Sequence, residues 1–247
     1  MDLSINGIGW LLLTLGPLLF LQPRLHKELQ VLFYLITQRV DVAIILFSAV
    51  FFPGVVVHEL SHYFMAKILR VQTGRVSLIP RDMQDGRLML GFVEVAQTDI
   101  LRETLIGAAP LLTGSAIVAY AGIVKLKFNL VLASILSSEI INFFDALVAL
   151  PQQPDFFVWL YLAIAVSSTM MPSKSDRRAW LPVIAGLVLV FGLAVWAGAG
   201  SWLSVHVWPW INARLTAAAG VFAVAVALHI GVLLPIIFVI RMLNPKQ

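Results

Sequence analysis

Val55-Val56-Val57-His58-Glu59-Leu60-Ser61-His62 closes an apolar run with two histidines four residues apart and a glutamate beside the first. The run reaches from about Val42 to Leu69 and reads as a helix, whose 3.6-residue turn puts His58 and His62 on one face. Two neutral imidazoles so placed can hold one Zn²⁺, and Glu59 reaches the open position of such an ion, where it can take a proton from water. Ionisable residues inside a lipid-spanning segment cost several kcal/mol unless each has a partner and a task. His58 and His62 are therefore the candidate metal ligands and Glu59 the candidate catalytic base.

Composition defines the solvent around this stretch. Apolar residues make up 60% of the chain and charged residues 12%, with a mean hydropathy of +0.93, values outside the range of soluble domains. The expected fold class is an all-α polytopic membrane protein of about six transmembrane helices with a small membrane-associated β-hairpin. The chain has no cysteine, so a metal must rest on histidine and carboxylate ligands. The pI near 9.6 comes from Lys and Arg in short loops between apolar runs, the pattern of the positive-inside rule, and gives no nucleic-acid signal.

Three regions follow from the hydropathy pattern. Residues 1–41 hold a first, uncleaved helix from about Asn6 to Gln22 and then a mixed apolar and basic segment, Arg24 to Arg39, that suits an interfacial helix. Residues 42–178 form the core. It starts with the helix bearing His58 and His62, followed by a polar segment at 71–103. There, alternation in Arg75 to Ile79 and Arg87 to Val95 predicts a β-hairpin turning near Asp85-Gly86. That hairpin is either a membrane-surface element or an edge that pairs with an extended substrate, with Leu88, Leu90 and Phe92 as substrate-positioning residues. A span rich in small residues, Leu105 to Val124, then suits close helix packing. Leu130 to Leu150 carries Glu139, Asn142 and Asp145 along one face and reads as an interfacial helix, and a span from about Phe156 to Met171 follows. Residues 179–247 hold two further spans, about Ala179 to Gly200 and Thr216 to Ile240.

A zinc site needs a third protein ligand, for which Asp176 and Asp145 are the candidates. If 130–150 is interfacial, Asp176 falls at the same end as His62; if it spans, Asp145 does. Six spans put eleven Lys and Arg on the face of the hairpin and Asp176 against six opposite, whereas seven spans give seven against ten. The stronger bias favours Asp176 and a cytoplasmic site, with both termini on that face.

The motif His58-Glu59-Leu60-Ser61-His62 near the end of a span, the hairpin after it, the small-residue span and Pro172-Ser173-Lys174-Ser175-Asp176 at a later span's end together resemble the site-2 protease family of intramembrane zinc metalloproteases. The likeness covers roughly residues 42 to 178. In that family an Asn-x-x-Pro…Asp-Gly segment supplies the third zinc ligand; here Thr169 stands in the Asn position, Arg177 in the Gly position, and the Pro-to-Asp spacing is one shorter. Ala109-Pro110-Leu111-Leu112-Thr113 is similar to the family's Gly-Pro-Leu-x-Asn, which implies substrate-positioning roles for Pro110 and Thr113. The resemblance implies Zn²⁺ as cofactor, a transmembrane protein as substrate, the lipid bilayer as surroundings and a bacterial or archaeal cell membrane as location. It further implies hydrolysis of peptide bonds in or beside the membrane, with Glu59 returning its proton to the leaving amine.

Two other readings stand beside it. The prenyl-protein proteases also carry H-E-x-x-H but take a glutamate as third ligand, for which Glu94, Glu103 and Glu139 are the candidates. A non-proteolytic zinc-binding scaffold or a transporter-like protein is the other, and His206 and His229 are further polar positions that such a path would use.

Overall fold

The computed structural model describes residues 6–78, 81–82, 88–128, 130–131, 134 and 140–244, without the side chains of 81–82, 88–89 and 140–142. Helix α1 spans Gly7–Thr37 and α2 spans Val40–Ile68. Strands β1 (Thr73–Ser77), β2 (Arg81–Asp82), β3 (Leu88–Met89) and β4 (Phe92–Val95) follow. Next come α3 (Ile100–Ala119), continued by a π-helical turn at Tyr120–Lys125, then α4 (Ile140–Ala149) and α5 (Phe156–Thr169). Helix α6 (Trp180–Ala194) runs on through a π-helical segment into α7 (Gly200–His206), and α8 (Trp208–Leu243) completes the described chain.

Among the described residues, five helical stretches are long and apolar enough to cross a membrane: Gly7–Thr37, Val40–Ile68, Ile100–Lys125, Trp180–His206 and Trp208–Leu243. The span expected over Phe156 to Met171 is instead α5, whose 14 residues make a rod of about 21 Å, short of a hydrocarbon core about 30 Å thick. It is enclosed by its neighbours, with Ala163, Ala165, Val166, Ser167 and Ser168 buried. Apolar composition marked this segment correctly as embedded, while its length makes it a central strut.

The interfacial helix expected over Arg24 to Arg39 is the continuation of α1, despite Pro17 and Pro23 within it. Its polar residues are accommodated laterally. Arg24 pairs with Glu28 one turn on at 2.8 Å, and the His26 ring packs against Phe47 and Phe51 of α2. Helix α1 also runs beside α8 in the same direction: the Gly7 amide donates to Asn212 Oδ1 at 2.6 Å, and Leu25 and Leu29 share a cluster with Leu233, Ile236 and Ile240. The start of α1 therefore lies at the start of α8, and the described chain ends at opposite ends of this pair. That differs from the expected placement of both termini on one face, which rested on an even number of alternating spans, six, where the described residues hold five candidate spans.

The hairpin forms as alternation predicted. Strands β1 and β4 pair antiparallel with Val76 opposite Val93 and Ser77 opposite Phe92, and β2 pairs with β3. The expected turn at Asp85-Gly86 lies outside the described residues, as does Glu139 of the expected interfacial helix.

Small residues set the helix spacing. At Gly54 of α2 an added Cβ would collide with the Ala165 carbonyl oxygen and Thr169 Oγ1 of α5, and at Gly114 of α3 it would meet Met170 Cβ. Gly54→Ala is therefore expected to cost about 1–3 kcal/mol by overpacking, read as a lowered thermal midpoint in detergent. Gly220→Ala, at an α8 position with nothing within 4 Å, is the control and should hold or raise the midpoint. Equal midpoints for the two variants would contradict the contact.

Candidate functional site

The last turns of α2 carry His58, Glu59 and His62 into a cavity of about 870 Å³. Its walls come from α2, from the β4 side of the hairpin (Gly91, Phe92, Val93), from the start of α3 (Glu103, Ile106, Gly107) and from the segment after α5 (Ser173 to Asp176). Glu59, Ser61 and His62 are buried and His58 nearly so.

Both imidazoles are held by backbone carbonyls. His58 Nδ1 lies 2.6 Å from the Thr169 oxygen at the end of α5, and His62 Nδ1 lies 2.9 Å from the Ile106 oxygen in α3. A carbonyl oxygen only accepts, so each Nδ1 must carry the proton and each neutral ring leaves its Nε2 with a bare lone pair. Those two Nε2 atoms are 3.3 Å apart, on rings whose planes cross at 79°. Asp176 completes the group, with Oδ1 3.4 Å from His62 Nε2 and Oδ2 3.9 Å from His58 Nε2.

Asp176 reaches this point on a tight turn after Pro172. The Ser173 amide donates to Asp176 Oδ2 at 2.7 Å, and the Asp176 amide donates back to Ser173 Oγ at 3.3 Å. Burial opposes ionisation of the carboxyl, but the amide and hydroxyl of Ser173 favour the ionised form. A deprotonated carboxylate and two Nε2 lone pairs then face one another, all acceptors and within 4.8 Å. Such a set repels itself unless a cation lies between its members. Ligands about 2.0–2.1 Å from a tetrahedral ion stand about 3.3–3.4 Å apart, which two of the three spacings match. The three residues could therefore hold a metal ion, each histidine steadied through its second nitrogen.

Of the two aspartates, the structure brings Asp176 to the histidines and leaves Asp145 exposed on α4. Of the glutamates of the other reading, the two that are described are otherwise engaged. Glu94 Oε2 accepts the Arg75 amide, and Glu103, although it lines the cavity, pairs with Arg178 at 2.9 Å. Phe92, expected to position substrate, lines the cavity. Leu90 lines a neighbouring apolar groove of about 380 Å³ with Ile45, Phe52 and Leu78, and the side chain of Leu88 lies outside the description. Pro110 and Thr113 do not line the cavity: Pro110 is fully buried within α3 and Thr113 is exposed. Of the two lone histidines, His229 is buried and bonded to Ser168 and to the Ala225 carbonyl, while His206 stacks on Trp202 at the surface.

Two positions essential to the geometry escaped the sequence reading. At Gly91 an added Cβ would come within 2.9 Å of Glu59 Cγ, so glycine lets the hairpin backbone pass over the glutamate. At Gly107 it would collide with the Asp176 carbonyl oxygen. Gly107 was visible only as one of many small residues in its span. No protein-family model matches the chain, and neither does any curated protein or solved structure.

Zinc content by mass spectrometry on folded variants separates the ligands. Asp176→Ala should lose the ion by more than the roughly 10–100-fold that removal of a supporting outer carboxylate costs, while Asp145→Ala should retain it. The reverse result would move the third ligand to α4.

Proposed function

We propose that this protein is an intramembrane zinc metalloprotease that hydrolyses peptide bonds in or next to transmembrane segments of membrane proteins. The observation that carries the reading is the convergence of two Nε2 lone pairs and the Asp176 carboxylate beside a buried glutamate, at the end of a helix apolar enough to span a membrane. It is also the chemistry that the resemblance to the site-2 protease family implies.

His58, His62 and Asp176 would hold the ion. When bound there, zinc supplies Lewis acidity, which polarises a carbonyl and draws the pKa of water from 15.7 toward about 7. Glu59 accepts the proton that water gives up and hands it to the leaving amine, so its carboxylate cycles through the acid and ends unchanged. It lies beneath Gly91 on the cavity wall, beside the histidines.

A helical peptide hides its carbonyls in its own hydrogen bonds, so a transmembrane substrate must unwind before attack. Strand β4 pairs with β1 along one edge, and its residues Phe92 and Val93 line the cavity, which suits an extended segment laid along the other edge. The surplus of Lys and Arg around the hairpin and Asp176 supports a cytoplasmic opening for water.

Glu59→Gln keeps the shape of the side chain and removes the proton acceptor. The variant should keep its zinc and lose hydrolysis of a model transmembrane substrate in proteoliposomes by at least about 100-fold. A variant that still cuts at the parent rate would refute the mechanism. A parent protein that binds zinc and cuts no membrane substrate would instead leave a zinc-binding scaffold.

A further inference from the structure

We propose that Pro110 is a positioning residue for His62, setting which nitrogen of the ring faces Asp176. The inference rests on the metal-site reading above but not on proteolysis.

In an α-helix the carbonyl of residue i accepts the N–H of residue i+4. Four residues after Ile106 comes Pro110, which has no N–H to give. The Ile106 carbonyl, inside α3 and buried, is thereby left without its helical donor, a condition a buried acceptor does not tolerate. His62 Nδ1 fills the gap at 2.9 Å. The donor deleted from α3 is thus replaced by a ring N–H from α2, and the replacement forces the proton onto Nδ1 and the lone pair onto Nε2.

The same device operates at the end of α5. The N–H that would bond Ser168 belongs to Pro172 and is missing, and Gln22 Nε2 takes the Ser168 oxygen at 2.5 Å. The N–H that would bond Thr169 is that of Ser173, which is diverted to Asp176 Oδ2, and His58 Nδ1 takes the Thr169 oxygen. Both rings are therefore oriented by carbonyls released from helical bonding, one by a proline inside a helix and one at a helix end. Pro110 lies outside the cavity wall, so its influence on the site passes through Ile106 and His62.

Pro110→Ala restores the backbone donor, which then competes for Ile106. Nitrogen-15 NMR of histidine-labelled, metal-free protein in lipid nanodiscs, at a pH high enough that the ring beside the Asp176 carboxylate is neutral, reads the tautomer directly. In the parent, His62 should be protonated at Nδ1 alone. In Pro110→Ala it should divide between the two tautomers, and zinc should bind about 10-fold more weakly, the lower end of the cost of losing an outer-sphere partner. Pro110→Ser adds a hydroxyl that also bonds the carbonyl four residues back, so its effect should be at least as large. Pro235→Ala, in α8, is the control and should change neither quantity. A His62 signal that stays at Nδ1–H in both Pro110 variants, with zinc affinity unchanged, overturns the proposal, as does a parent protonated at Nε2. If the tautomer shifts while no variant, parent included, cuts a substrate, the role of Pro110 stands and the protease reading falls.

Discussion

A neutral imidazole offers its lone pair in one direction only if its N–H is held in the other. Inside an apolar helix there is no water to hold it, so His58 and His62 need two carbonyl oxygens from other helices. That requirement fixes the bundle around α2. Helix α5 must end at Thr169 beside His58, and α3 must pass Ile106 beside His62. Everything that positions these two helices serves the site, however far from it.

The small residues are best understood this way. Gly54, Gly107 and Gly114 sit where backbone or Cβ atoms of α5 and the segment after it come closest, and a side chain at any of them would push those atoms away. The contacts deeper in the bundle hold α5 from its other side. Gln22 of α1 and His229 of α8 both bond Ser168, the residue before the carbonyl that steadies His58. Their polarity inside an apolar bundle has a structural explanation in that clamp. By contrast α6 and α7 carry no buried residue, and their apolar surface is turned away from the bundle. Apolar side chains so placed carry no penalty in hydrocarbon, where lipid tails are as apolar as leucine.

The hairpin contributes a wall rather than a ligand. Its Gly91 passes over Glu59, so that side chain sits between the α2 helix and an extended strand, with Phe92 and Val93 beside it. A strand edge so close to Glu59 is where the proposed peptide hydrolysis would place an extended segment.

The sequence by itself determined what depends on local periodicity. The four-residue spacing of His58 and His62, the apolar run around them and the alternation in 75–79 and 87–95 each need only a helical or extended backbone to take effect, and each was legible. The tertiary structure alone decided the rest. Asp176 and Asp145 are alike as carboxylates at the margins of apolar segments, and only the packing of α5 against α2 and the turn at Ser173 bring one of them to the imidazoles. Hydropathy marked 156–171 as embedded but could not say that a 14-residue helix is a strut enclosed by longer ones. Arg24, His26 and Glu28 read as interfacial because a linear pattern does not reveal that a charge has a partner one turn away or that an imidazole has two phenylalanine rings beside it. Pro110 resembled a motif residue from its neighbours in the chain, yet its effect runs through a carbonyl four residues back to a ring on another helix. Contacts of that kind arise from three-dimensional packing, which residue order along one helix does not record.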